Sequence, residues 1–263
     1  MNPSLTNTAL THTVQEIERD GFSIVPNAIG PEQIEALKPA IDRAIEQEQA
    51  EFGGRPGKHE FIAWDLVMKG PEFVRLLENP IMLQVFRAVL GDGCVLYACA
   101  TNTLQSGAEN YTTEVHVDTA RFAPDYTLGL ICTFALVDFE EDNGATWYLP
   151  GSHRQRERPS DEEFYAGAVR VVRKAGDVVI FNPRVWHRGG LNMTPDARYA
   201  CSFFGVRQWM KQRLDYPRMV TPEIIESLSD SGRRFLGLEA QVPTNLDEFY
   251  VPMDERLYIP RPE

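Results

Sequence analysis

No hydrophobic run in the sequence approaches the length of a membrane span. The stretch from Met1 to Val14 is polar and Thr-rich, without the basic segment and apolar run of a secretory leader. These absences point to a cytoplasmic protein. Cysteine is scarce, and Cys94, Cys99, Cys132 and Cys201 form no CxxC pair. Three of the four fall in apolar, strand-like runs where a thiol behaves as a small hydrophobe, so buried reduced thiols are expected. Basic charge is in deficit, with 26 Lys and Arg against 38 Asp and Glu and a formal net charge of -12. Binding nucleic acid needs clustered cations that release counterions from the phosphates. The expected partner is therefore a small-molecule substrate, with neither nucleic acid nor a membrane. Nothing in the pattern separates a monomer from a homodimer.

What is present is the balance of a folded chain: 263 residues, 43% hydrophobic and 24% charged. That length suits a single domain. Ile34, Leu37, Ile41 and Ile45 share one helical stripe, Pro31 suits a first turn, and Pro39 inside the pattern is expected to kink the helix or displace its start. A second helix is expected from Pro80 to Leu90, ended by Gly91. Between them, Phe52 to Lys58 reads as a Gly/Pro-rich loop, followed by Phe61 to Val67 as a possible part of a substrate lid.

After Gly93 the chain turns to β-branched and aromatic residues. Strands are expected over 94–104, 112–117, 127–137, 145–149, 169–172, 178–181 and 199–206. Helices first and strands after define an α+β class, with N-terminal helices packed on one sheet of a double-sheet jelly roll. The expected layout is a helical part over about 14–91, a jelly-roll core over about 93–207 and a C-terminal wrap over 208–263.

The five histidines can be weighed singly. His12 in the polar leader and His59 beside Lys58 and Glu60 read as solvated. His116 stands in Glu114-Val115-His116-Val117-Asp118, an alternating stretch whose residues two apart face the same way on a strand, so His116 and Asp118 can reach one metal ion. His187 follows the apolar run 178–181 and the turn Asn182-Pro183, and is the better third ligand. Two His and one carboxylate leave positions open, as in non-haem iron(II) oxygenases that admit a bidentate co-substrate and O2. A structural zinc site would close with four protein ligands, usually including Cys.

Arg198 lies eleven residues past His187, across the turn signals Gly189-Gly190 and Thr194-Pro195-Asp196. If these close a hairpin, its guanidinium reaches the same cavity and clamps the distal carboxylate of 2-oxoglutarate while the keto acid end chelates Fe(II). Two rivals stand beside this reading. One is a zinc-dependent hydrolase or isomerase on a cupin-like barrel, which would need no Arg198. The other is a jelly-roll binding protein without catalysis.

These residues resemble the phytanoyl-CoA dioxygenase family of the 2-oxoglutarate oxygenases. The resemblance runs from Asp20-Gly21-Phe22 and Val25-Pro26 to Val206. It is carried by His116-Val117-Asp118, Asp142-Asn143-Gly144-Ala145-Thr146, Leu149-Pro150-Gly151-Ser152-His153, Gly176-Asp177, His187 and Arg198, in the family's order. It implies a double-stranded β-helix using iron, 2-oxoglutarate and O2, and release of succinate and carbon dioxide. It also implies that Thr146 and Asn102 hydrogen-bond 2-oxoglutarate and that His153 belongs to a turn and is not a ligand. The expected outcome is hydroxylation of a free specialised-metabolism intermediate, with desaturation, cyclisation and epimerisation starting from the same C–H abstraction. Tyr97, Phe134, Trp147 and Trp209 are candidates to line an apolar pocket, and Arg154 to Arg158 reads as a solvated loop.

Overall fold

The computed structural model describes residues 4–52, 61–107 and 111–262. His59 and most of the expected Gly/Pro-rich loop lie outside them. The polar start is not an unstructured leader: Asn7–Asp20 forms helix α1, capped by the Thr6 side chain and ended by Gly21 at φ 87°. Its apolar face is narrow, with Ile17 buried and Leu10 packed against the core, which hides the helix from a composition-based reading. His12 on this helix is exposed beside Glu16.

Strand β1 (Phe22–Val25) leads to α2 (Pro31–Phe52), which buries Ile34, Leu37, Ile41 and Ile45 as their spacing requires. The helix runs through Pro39, so the expected displacement of its start does not occur. Short α3 (Pro71–Leu77) is followed by α4 (Pro80–Leu90), where Pro80 occupies the first turn and the Asn79 side chain accepts from Met82 N–H at 3.1 Å. Gly91, at φ 91°, ends it.

The strands are β2 (Val95–Thr101), β3 (Gly129–Ala135), β4 (Trp147–Tyr148), then, after α5 (Asp161–Gly167), β5 (Val169–Arg170), β6 (Val178–Phe181), β7 (His187–Arg188) and β8 (Ala200–Val206). One sheet has the order β1-β6-β3-β8-β2 and the other β5-β4-β7, with antiparallel pairing throughout. This is the double-sheet jelly roll with helices on one face. The expected strand over 112–117 is not formed. Tyr111–Thr113 is a 3-10 turn and His116 makes a single bridge to His187, because the facing β7 is only two residues long.

Period-two alternation divides the interior. Leu130, Cys132 and Phe134 of β3, Val178 and Ile180 of β6, and Cys201 and Phe203 of β8 join the helices in one core. The intervening Ile131, Val179, Phe181 and Phe204 face the second sheet with Tyr148, Val171 and Val185. Phe134, expected in a pocket, therefore belongs to the helix-side core, and all four cysteines are free and buried. The C-terminal segments α6 (Tyr216–Met219), α7 (Pro222–Ser227), α8 (Asp230–Leu236) and α9 (Leu246–Phe249) wrap the helix side, where Phe235 meets Phe86 edge-on at 5.7 Å. Among the described residues no helix is long and apolar enough to cross a membrane.

Phe86 has no exposed surface and supports both Phe235 and the β8 backbone at Gly205. Phe86→Ala is expected to lower unfolding free energy by about 3–5 kcal/mol, read from urea denaturation. Metal binding measured well below the transition should be unchanged, since the cavity described next lies on the opposite face of the sheet.

Candidate metal and co-substrate site

Between the sheets a cavity of about 430 Å³ opens, and His116, Asp118 and His187 all line it. Backbone pairing brings the two histidines together. Each N–H donates to the other's carbonyl at 3.0 Å, so both rings project from one hydrogen-bonded antiparallel pair, with centroids 4.2 Å apart. Asp118 is fixed separately, by its own N–H and that of Thr119 donating to the Pro183 carbonyl. Its carboxylate oxygens lie 3.6 Å from Nε2 of His116 and 3.5 Å from Nε2 of His187. One donor atom from each of the three residues falls within 4.8 Å of the others.

The ring orientation suits metal binding. Nδ1 of His116 meets the Glu114 carbonyl at 2.7 Å and Nδ1 of His187 meets the Val185 carbonyl at 2.9 Å. A carbonyl only accepts, so Nδ1 carries a proton in each ring, and Nε2, on the Asp118 side, is the nitrogen left for a metal once the ring is neutral. Tyr148 stacks on the His187 ring at 5.6 Å and Phe181 meets its edge at 5.2 Å, which holds the ring in place. Burial, with the neighbouring His116 charge, pushes His187 down to about 4. Burial also works against the charge on His116, but the hydrogen bond and charge of Asp118 raise it overall. Burial opposes the Asp118 anion as well, and the two imidazoles outweigh it and hold the carboxyl below its ordinary range. Two neutral nitrogens and one carboxylate are a donor set that fits a divalent metal with positions left open.

Arg198 lines the same cavity and is 2% exposed. It does not reach there by the expected hairpin. His187 belongs to the three-stranded sheet, whereas Arg198 pairs with Leu104 on the approach to β8 of the other sheet, so the two face each other across the cavity. Nη1 donates to the Gly144 carbonyl, Nη2 donates to Asn102 Oδ1 at 3.4 Å, and Nε is buried without a partner. Gly144 sits at φ 91°, and a Cβ there would come within 2.8 Å of the Gly190 carbonyl, so this close approach to Arg198 requires glycine. Among the described residues no carboxylate pairs with Arg198, and burial followed by the repulsion of Arg173 pushes its guanidinium down to about 9. A buried guanidinium in that condition needs an anion.

Thr146 and Asn102 both line the cavity. His153 does not: it is buried against Gly21, while Ser152 Oγ accepts from Trp186 N–H at 2.9 Å and fixes the residue before His187. Of the aromatic candidates only Tyr97 reaches the cavity. Trp147 lies under Arg170 and Trp209 is exposed. Arg154 to Arg158 are exposed, as expected of a solvated loop. Within the expected lid segment, Ile62, Ala63, Leu66 and Val67 are buried and Trp64 bridges Ala100, so it is a wall of the cavity and not a loose flap. Tyr148, Phe139 and Arg173 were missed from sequence. Arg173 carried a signal, since it stands two residues beyond inward-facing Val171 and so falls on the inward register of its segment.

The family model for phytanoyl-CoA dioxygenases (PhyH) matches residues 17–200. An uncharacterized Mycobacterium tuberculosis protein, Rv1501, is 30% identical over 262 residues, covering 96% of this chain and 95% of its own length. Dioxygenase trt7 of Aspergillus terreus is 27% identical over 205 residues, covering 70% of this chain and 68% of its own. The crystal structure of the non-heme alpha ketoglutarate dependent epimerase SnoN from nogalamycin biosynthesis superposes with a TM-score of 0.62 at 21% identity, over 77% of this chain and 85% of that one. That likeness shows a shared fold.

His116→Ala and His187→Ala are each expected to weaken Mn(II) binding about a hundredfold or more, beyond the loss of an outer partner, while the melting temperature changes little. In the native protein the His116 proton must leave before metal binds. Because His116 titrates above the ordinary imidazole value, Mn(II) affinity should rise about tenfold per pH unit through and slightly beyond the usual histidine range, then level off. His187, already neutral above about 4, should add no step. An affinity flat from about pH 5 to 8 would show that His116 is not a ligand.

Proposed function

The chain belongs to the phytanoyl-CoA dioxygenase family, and from that premise we propose that it oxidises a C–H bond of a small metabolite at an iron held by His116, Asp118 and His187. It is a non-haem iron dioxygenase that depends on 2-oxoglutarate. Iron with 2-oxoglutarate supplies activation of O2 coupled to oxidative decarboxylation, which yields succinate and carbon dioxide. The observation that carries the residue assignment is the opposition, across one cavity, of the three metal donors and a buried Arg198 without a carboxylate.

The chain's own groups divide the work by position. His116 and His187 present Nε2, and Asp118 adds an anionic oxygen and accepts no proton at neutral pH. Arg198 would receive the remote carboxylate of the co-substrate, with Asn102 and the Gly144 carbonyl fixing the guanidinium, and Thr146, which lines the same cavity, would offer it a hydroxyl. Ile131, Phe181 and Phe204 make an apolar wall that keeps water from the reacting carbon. Trp64, Tyr97 and Arg213 also line the cavity, with the Arg213 guanidinium 4.8 Å from the Trp64 ring and Tyr97 edge-on to Phe204 at 4.9 Å, and form the region that meets the substrate.

The cavity size and its aromatic lining support a free metabolite of moderate size, and the solvated loop over 154–158 gives no built site for a CoA phosphate. SnoN, from nogalamycin biosynthesis, supports an intermediate of specialised metabolism as the substrate class. Hydroxylation is the proposed outcome, carried by one domain spanning the chain. A zinc hydrolase on the same ligands is disfavoured by family membership and by Arg198, which such chemistry leaves without a role.

Anaerobic addition of Fe(II) and 2-oxoglutarate should give a weak visible charge-transfer band, and a substrate screen that follows succinate should identify the oxidised compound. Arg198→Lys keeps the charge and loses the planar fork, so apparent 2-oxoglutarate affinity should drop by about 1–3 kcal/mol. An unchanged 2-oxoglutarate requirement in that variant would move the carboxylate to another residue.

A further inference from the structure

The cavity contains a second buried cation. Arg173 is 6% exposed, and its guanidinium lies 4.1 Å from the Phe139 ring centroid, while that of Arg198 lies 4.6 Å from the same centroid. Burial works against the Arg173 charge, which the neighbouring Tyr148 hydroxyl favours, and Nε and Nη1 have no partner. Asp177 is the acid whose charge it feels, yet the two Asp177 oxygens accept from the backbone N–H groups of Asn27 and Lys174 at 3.0 and 2.8 Å.

Other buried arginines of this chain are satisfied differently. Arg184 and Arg207 each donate to three backbone carbonyls, as a side chain does whose task is to close a fold, although Arg184 Nε too is without a partner. Arg173 has no such set. Two guanidiniums without carboxylate partners, stacked on one ring in one cavity, repel each other and raise the cost of burying both. An anion with several acceptor oxygens relieves that cost at both, and a guanidinium with two donors vacant is built to take one.

We propose that Arg173 is a second anion-binding arginine of the co-substrate site, sharing the remote carboxylate of 2-oxoglutarate with Arg198. The inference rests on the 2-oxoglutarate reading above. Its consequence is selectivity: a keto acid that lacks the remote carboxylate would leave both cations buried and unneutralised, so the site should refuse it more strongly than a site with one arginine.

The test uses binding, not turnover. Calorimetry of the Mn(II)-loaded protein with 2-oxoglutarate is compared with 2-oxopentanoate, which keeps the chain length and ends in a methyl group. Arg173→Gln should weaken 2-oxoglutarate about tenfold or more and leave 2-oxopentanoate bound as before or more tightly, and Arg173→Lys should recover part of the 2-oxoglutarate loss. Equal weakening of both ligands, or of neither, overturns the proposal in favour of a packing role. Failure of the native protein to bind 2-oxoglutarate at all overturns the co-substrate reading and this inference with it, whereas native binding with an indifferent Arg173→Gln overturns this inference alone. A structure of the native protein with Mn(II) and N-oxalylglycine needs no variant. A carboxylate oxygen within about 3.2 Å of Nε or Nη1 of Arg173 supports the proposal, and a carboxylate held by Arg198 alone overturns it.

Discussion

The site depends on one short piece of backbone pairing, the reciprocal hydrogen bonds between His116 and His187. His116 comes from an irregular segment with no ladder of its own, and His187 opens a strand of two residues. Neither element is long enough to be placed by its own secondary structure. The bridge places both, because a hydrogen-bonded antiparallel pair sets its two side chains on one side of the sheet at nearly fixed separation. β4 then holds β7 through Tyr148, whose ring covers His187, and the Pro183 carbonyl holds Asp118. The three candidate donors are thus positioned by main-chain bonds that do not involve their side chains, which is why their substitution should change metal binding more than stability.

Electrostatics arranges the cavity along one axis. At one side stand the carboxylate of Asp118 and Nε2 of His116 and His187, a place for a cation. Across it stand Arg198 and Arg173 with no carboxylate of their own, a place for an anion. The protein carries the cost of two desolvated guanidiniums in exchange for orientation. A molecule with a chelating keto acid at one end and a carboxylate at the other satisfies both sides in one direction only. The aromatic ring of Phe139 lies 4.1 Å from the Arg173 guanidinium and 4.6 Å from that of Arg198, and so supports both cations without using their hydrogen-bond donors.

How much of this was legible in the sequence follows from the physics of each part. The helix at Pro80–Leu90 and the strand at Val178–Phe181 were read to the residue, because Pro and Gly mark the ends of the first and a continuous apolar run marks the second. Helix α1 was missed because two or three apolar contacts suffice to dock it, too few to show as periodicity. His116, Asp118, His187 and Arg198 were identified correctly as neighbours, yet two of the reasons given for it fail. The segment 112–117 is not a strand, and His187 and Arg198 do not share a hairpin. A motif preserves which residues meet without revealing the path of the chain between them. Arg173 lay hidden for a different reason: a charged residue on an inward register position is rare and is easily discounted as a misplaced register.

The two regions of the cavity are built by different means, and that bears on what shared ancestry can transmit. The residues proposed to meet the metal and the carboxylate are held by paired backbone and by turns whose shape is set by Gly144, Ser152 and Asp177. The region proposed to meet the substrate draws on three separate parts of the chain: Tyr97 beside the β2 irregularity between Leu96 and Ala98, Trp64 from the segment after α2, bridged to Ala100, and Arg213 from the C-terminal segment, whose N–H donates to the Tyr97 carbonyl at 3.0 Å. Replacing any of these three leaves the sheet pairing untouched. A fold can therefore keep its reaction while changing its substrate.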